Sequence, residues 1–144
     1  MRGYGARVTA MRPLPLLSDV NRFFWTSGSD GRLRFLRCRE CRAWAHPPQP
    51  ACRLCGATDL APDTVSGRAK VLGWTINHQP WHPAFPPPYV IAVVAMAEDE
   101  GVRLTTNIVD VDHEQLFVGM DVDVVFQQDD DVWIPLFRPV KDSQ

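Results

Sequence analysis

The chain is short of the features that would identify an enzyme directly. It has no glycine-rich phosphate loop, because its nine glycines are dispersed. It has no Gly-x-Ser-x-Gly elbow, and no cysteine outside one short segment. No internal repeat is visible. His78 and His82 are the only imidazoles near one another, and no nucleophile–base pair accompanies them. Asp129, Asp130 and Asp131 read as a solvated turn rather than a metal site. The longest apolar run, YVIAVVAMA at 89–97, falls well short of the roughly 20 residues of a membrane span. The first fifteen residues carry arginines but no apolar core of the signal-peptide kind. With no segment long enough to span a membrane, we expect a cytoplasmic protein, where thiols stay reduced. These absences also weaken the reading of an enzyme acting alone.

What is present is concentrated. All four cysteines lie within LRCRECRAWAHPPQPACRLC, residues 36–55. Cys38-x-x-Cys41 and Cys52-x-x-Cys55 offer four thiolates from two tight loops, the ligand set of tetrahedral zinc. Gly56 permits the backbone bend that the second loop wants. Two disulfides are one rival, opposed by the expected compartment, and iron is another. Four sulfurs fill the coordination shell, so the metal is expected to be structural. His46, between the pairs, is then a loop residue. Arg37, Arg39, Arg42 and Arg53 flank the thiolates. They can offset the formal charge of the cluster, or they can bind a phosphate, and their pattern alone does not separate the two.

Charge is uneven although the net value is only −2. Residues 1–55 carry ten Arg against three acidic residues, and residues 98–144 carry twelve acidic residues against three basic ones. Such asymmetry invites a partner, or merely solvates two surfaces.

Residues 1–15 read as a flexible lead-in. Ser18 caps an expected helix of about three turns, with Leu17, Val20 and Phe24 on one face and Gly28 as its stop. Its aromatic end, Phe23–Phe24–Trp25, is a packing anchor or an interface. Helix and cysteine segment together occupy 16–60, and 61–67 looks like a linker. From 68 to 140 the text is β-like. Five strands are expected at 68–78, 89–97, 102–110, 121–127 and 132–138, with EDEG and QDDD as turns. Five short strands in succession suggest a small antiparallel barrel. Between the first two runs a loop with five prolines, Trp81, His82 and Phe85. A stiff aromatic loop at a barrel mouth suits a ligand or a partner, or packs over the core. His78, Trp81, His82, Phe85, Tyr89 and Asn107 are the candidate ligand-facing or partner-facing residues, by stacking and hydrogen bonding.

Taken in order, FFW, LRFLRCRECRAWAHPPQPACRLCG, VSGRAKVLGWTINH, HPAFPPPYVIAVVAM, VRLTTNIVD, VGMDVDVVF and IPLFRPV resemble one known family, the acyl-CoA-associated zinc-ribbon OB-fold proteins (domain of unknown function family thirty-five). The likeness runs from about Leu16 to Val140. It implies a mainly β protein with an N-terminal helix, a rubredoxin-like zinc ribbon and a C-terminal five-stranded OB barrel. It also implies a non-catalytic accessory role beside a thiolase-superfamily enzyme in a hetero-oligomer, as a separate subunit or a fused domain, and a stand-alone subunit is expected here because no catalytic domain is attached. There it would help to form an acyl-CoA site, as in lyase complexes that cleave steroid side-chain CoA thioesters by a retro-aldol step. An acyl-CoA hydratase or acyltransferase complex is the alternative. A single-stranded nucleic-acid-binding OB protein is a further one, opposed by the acidic barrel half.

Overall fold

The computed structural model describes residues 12–141. The lead-in expected at 1–15 therefore lies mostly outside the described residues. Where it is described, Leu14 packs against an apolar cluster of Val109, Val132, Ile134 and Leu136, as does Leu17 beyond it.

The expected three-turn helix is shorter. Ser18 and Asn21 close a turn on each other, Ser18 N donating to Asn21 Oδ1 at 2.8 Å and Asn21 N to Ser18 Oγ at 3.3 Å. The α-helix α1 then covers only Arg22–Thr26. Val20 is 62% exposed and so leaves the expected apolar face. Gly28 does not stop the helix. It lies within a 3-10 turn, Ser27–Asp30, pressed so closely on the next layer that a Cβ there would overlap the Phe126 ring and stand 2.8 Å from Trp133 Cβ. Gly31, with φ +81°, ends the turn in the left-handed region. Phe24 is the anchor: it is buried, edge-on to Trp25 at 4.9 Å and stacked on Phe35 at 6.0 Å.

A three-stranded antiparallel sheet follows, in the order β2–β1–β3, from β1 (Arg34–Cys38), β2 (Trp44–Ala45) and β3 (Leu60–Thr64). The segment 61–67 read as a linker is thus mostly strand. Its register runs from Arg34 opposite Thr64 to Cys38 opposite Leu60. Its prolines and acids suggested a loop, but Pro62 is tolerated on an edge strand. Only Val65–Gly67 separates ribbon from barrel, and even Val65 is buried.

The second sheet has the order β6–β5–β4–β7–β8, all neighbours antiparallel. Its strands are β4 (Arg68–Asn77), β5 (Tyr89–Met96), β6 (Asp99–Thr106), β7 (Asp121–Asp129) and β8 (Val132–Pro139). The third strand starts earlier than expected: Ala97–Glu98 alone makes the turn, and a bulge between Ala95 and Met96 absorbs the offset. It also ends earlier, at Thr106. The chain beyond it crosses to β8, where Val109 N donates to Phe137 O at 2.8 Å and Phe137 N to Asn107 O at 3.1 Å. Thr106 Oγ1 adds a bond to Pro135 O at 2.9 Å. These bonds draw the two outer strands together and curl the five-stranded sheet into an open barrel.

One core serves both sheets. Phe24, Leu33, Phe35 and Val65 join Val71, Val90, Val94, Val122 and Phe137 in a single buried cluster. Alternation in β4 explains its share: Ala69 and Val71 point inward while Arg68, Lys70 and Leu72 face out. Burying side chains of the size of Phe35 and Phe137 contributes about 2–3 kcal/mol each. The ribbon is therefore fixed to the barrel by apolar packing as well as by chain connection. No helix among the described residues is long and apolar enough to cross a membrane.

Candidate metal centre and recognition surfaces

The two knuckles repeat one geometry. In the first, Cys38 N donates to Ala43 O at 2.8 Å and Arg42 N to Cys38 O at 2.9 Å. In the second, Cys52 N donates to Ala57 O at 2.7 Å and Gly56 N to Cys52 O at 2.8 Å. Each turn needs a left-handed residue after its second cysteine, and finds it in Arg42 (φ +69°) and Gly56 (φ +79°). The loops bring all four Sγ atoms within 4.8 Å of one another, with Cys38–Cys55 and Cys41–Cys52 both at 3.6 Å. A disulfide requires about 2.05 Å. Tetrahedral zinc with Zn–S near 2.3 Å requires sulfur separations of roughly 3.8 Å. The sulfurs therefore fit zinc and leave no protein-free corner on it. Backbone N–H groups of Cys55 and Leu54 draw the Cys52 thiol down to about 6. At Cys55 the Ala57 N–H works in the same direction, but the Cys38 thiol, burial and the other two sulfurs outweigh it and push the thiol up to about 12. Four crowded sulfurs compete for negative charge, and a divalent cation removes that competition.

His46 is no ligand. Its ring lies 4.6 Å from Phe35 and 5.0 Å from Phe24, on the apolar core. Burial lowers its pKa to about 4, and its Nδ1 is buried without a hydrogen-bond partner.

Three of the four arginines beside the cysteines, Arg37, Arg39 and Arg42, turn toward carboxylates. Arg37 Nε donates to Arg42 O at 2.8 Å and its NH1 to Asp63 Oδ2 at 3.3 Å, while its guanidinium lies 4.3 Å over the Trp44 ring. Arg42 NH2 is 3.5 Å from the same Asp63 oxygen, and Arg39 Nε is 3.5 Å from Asp59. Asp63 was not singled out in the sequence, since it reaches this site only through the pairing of β3 with β1.

The aromatic loop is organised from its ends. Trp81, 75% exposed, is tethered by Nε1–H to Asn77 Oδ1 at 2.8 Å, and Asn77 Nδ2 donates to Gln79 O at 2.8 Å. His82 Nδ1 accepts the Ala84 N–H at 3.0 Å. His82 contacts Phe85 at 5.4 Å, and Phe85 contacts Tyr89 at 6.2 Å. Arg12 covers the Phe85 ring at 4.8 Å. His78 stands exposed at the end of β4. Asn107 does not join the row: its Nδ2 donates to Val90 O at 2.7 Å, tying the exit of β6 to β5. Asn77 and Arg12 were missed in the sequence because their roles depend on the folded path of the loop. A larger cavity, about 410 Å³, opens elsewhere, on the outer face of β4 and β5 beside Leu72 and the Lys70–Asp121 ion pair.

Comparison with known proteins agrees with this architecture. Residues 25–61 match the family model of the ChsH2 rubredoxin-like zinc ribbon domain, and residues 63–127 that of the ChsH2 C-terminal OB-fold domain. A probable enoyl-CoA hydratase alpha subunit of Thermomonospora curvata is 36% identical over 131 residues, which are 90% of this chain and 40% of that protein. The chain thus spans two fifths of that relative. A DUF35 domain-containing scaffold protein of Pyrococcus furiosus is 32% identical over 108 residues, 68% of this chain and 76% of that one. Among solved structures, a chain of the Ltp2-ChsH2(DUF35) aldolase superposes with a TM-score of 0.80 at 34% identity, covering 88% of this chain and 98% of that chain. With both halves matched in order and the four cysteines gathered at one point, the chain belongs to the ChsH2/DUF35 family of zinc-ribbon OB-fold proteins.

Proposed function

We propose that this chain is a non-catalytic accessory subunit that docks on a thiolase-superfamily enzyme and helps to form its acyl-CoA site. The observation that carries the reading is the match, over 98% of its length, to a chain of an aldolase complex. The metal centre supports it, because a zinc held by four sulfurs has no position for water or substrate. The surface supports it as well. Leu16 is 90% exposed, Val20 62% and Trp81 75%, apolar area that a partner would cover. His78, Trp81, His82, Phe85 and Tyr89 form the docking and ligand-facing side in this reading, and Asn107 holds the barrel that carries them. CoA brings phosphates for arginines and a thin apolar arm for an aromatic groove. Steroid side-chain CoA thioesters, cleaved by a retro-aldol step on the partner, are the substrate class proposed first.

A second reading, a hydratase complex, is favoured by the name of the Thermomonospora curvata relative. Co-expression with a thiolase-fold aldolase and with a hotdog-fold hydratase separates the two. The expected result is co-elution with the aldolase, retro-aldol turnover by the complex and none by the chain alone. Co-elution with the hydratase alone would transfer the chain to that complex. Turnover by the isolated chain, lost in His82→Ala, would overturn the accessory role.

A further inference from the structure

Arginines that served only to offset thiolate charge would direct their donors at sulfur. Among the described residues, the hydrogen bonds to cysteine sulfur come from backbone N–H groups of the two knuckles and from the sulfurs themselves, and none comes from a guanidinium. Arg37, Arg39 and Arg42 instead line a cleft of about 190 Å³ together with Ala61, Pro62 and, as its one carboxylate among the described residues, Asp63. Arg37 is fixed there by the Trp44 ring, the Arg42 carbonyl and Asp63. Arg39 and Arg42 each hold one carboxylate oxygen only at 3.5 Å, and both side chains are more than half exposed. Each has further N–H groups to offer.

We propose that this cleft binds a doubly charged phosphate group and, resting on the acyl-CoA reading above, that it takes a phosphate from the nucleotide end of CoA. Three arginines line one space, which suits a tetrahedral oxyanion with several acceptor oxygens better than a two-oxygen carboxylate. Asp63 has two effects. It aligns Arg37 and Arg42, and its charge opposes the incoming anion; the three arginines outnumber it, so the lining stays net positive and suits a dianion. The nearby metal–thiolate cluster, negative in sum, keeps the affinity modest. A site that must release its ligand at every turnover tolerates that.

The test titrates inorganic pyrophosphate into the zinc-loaded full chain at low salt, by calorimetry, with zinc content confirming the fold of each variant. The expected result is saturable submillimolar binding that weakens as salt is added. Arg39→Ala and Arg42→Ala should each weaken it about tenfold. Asp63→Asn should tighten it several-fold, an effect that a purely structural role for Asp63 would not produce. Absence of saturable binding by the unaltered chain, binding by both arginine variants as tight as that of the unaltered chain, or weaker binding by Asp63→Asn overturns the site. Two further titrations, with CoA and with pantetheine, separate the ligand source. CoA binding that is tighter than pyrophosphate and is lost in Arg39→Ala supports the full proposal. If CoA binds no tighter than pyrophosphate, the anion cleft stands and its assignment to CoA falls. If CoA binds the unaltered chain and Arg39→Ala alike, the acyl-CoA reading of the barrel survives and the ribbon cleft falls.

Discussion

The two zinc knuckles, CRECRA at 38–43 and CRLCGA at 52–57, share a backbone geometry and differ at two positions, one of them the left-handed residue that closes the turn. The turn after Cys55 uses Gly56, and the turn after Cys41 uses Arg42 in the same left-handed conformation. Glycine takes that conformation freely, whereas a residue with a Cβ loses about 1 kcal/mol in it. Nothing crowds Gly56, so the difference is one of conformational energy alone. The first knuckle therefore carries a strain that the second avoids. What it has in return is a guanidinium over Asp63, at the rim of the arginine cleft. A backbone cost kept for the sake of a side chain points to use of that side chain, which is the pattern expected where function and stability compete.

Removing a ligand from either knuckle is the most damaging way to break the comparison. Structural zinc contributes on the order of 10 kcal/mol to domains of this kind. Cys41→Ser and Cys52→Ser should both abolish stoichiometric zinc and unfold the ribbon, and chelation should do the same to the unaltered chain. Zinc content with near-ultraviolet circular dichroism checks this. Because Phe35 and Val65 belong to the core shared with Phe137 and Val122, the loss should spread to the barrel and lower its thermal midpoint too. A barrel that melts unchanged after zinc removal would show the two sheets to be energetically separate.

Much of this was legible in the sequence, for identifiable reasons. Cysteine spacing is a local signal, so the metal centre was placed residue by residue before any fold was known. The strand expected at 121–127 declares itself by alternation, and the structure extends it to Asp129. The failures came where tertiary contact overrules local pattern. Val20 has the spacing of a buried helical residue, but the chain turns at Ser18–Asn21 and leaves it outside. Residues 61–64 look like a linker, yet β1 recruits them as its partner. The row His82–Phe85–Tyr89 was named as candidates, but the tether of Trp81 to Asn77 had no sequence signature at all.

His46 sits in the segment that joins the knuckles and probes how firmly they are held together. Its folded pKa, about 4, lies below its ordinary value of 6.5 because burial against the core disfavours the charged ring. Between those values the unfolded chain binds a proton that the folded chain refuses. Stability from this group is therefore complete above pH 6.5 and falls as the pH drops toward 4, by at most about 3 kcal/mol. Denaturant midpoints for the unaltered chain and His46→Phe should diverge over that interval, with the variant the less sensitive. Thiolate protonation affects both proteins equally and cancels in the difference. Parallel pH profiles would mean that the ring leaves the core without cost.

The smallest expected effect sharpens the comparison most. Gly56→Ala should lower stability by about 1 kcal/mol, because φ +79° is strained for any Cβ even with open space around it. Arg42→Gly should do the reverse and raise the midpoint by a few degrees. If the first knuckle keeps arginine for its side chain, that more stable variant must bind pyrophosphate about as poorly as Arg42→Ala. Stability and anion binding would then move in opposite directions at one residue, while at position 56 only stability would move. A variant Arg42→Gly that is more stable and still binds the anion fully would leave the arginine without a purpose, and would mark the left-handed conformation at that position as a tolerated accident of the turn.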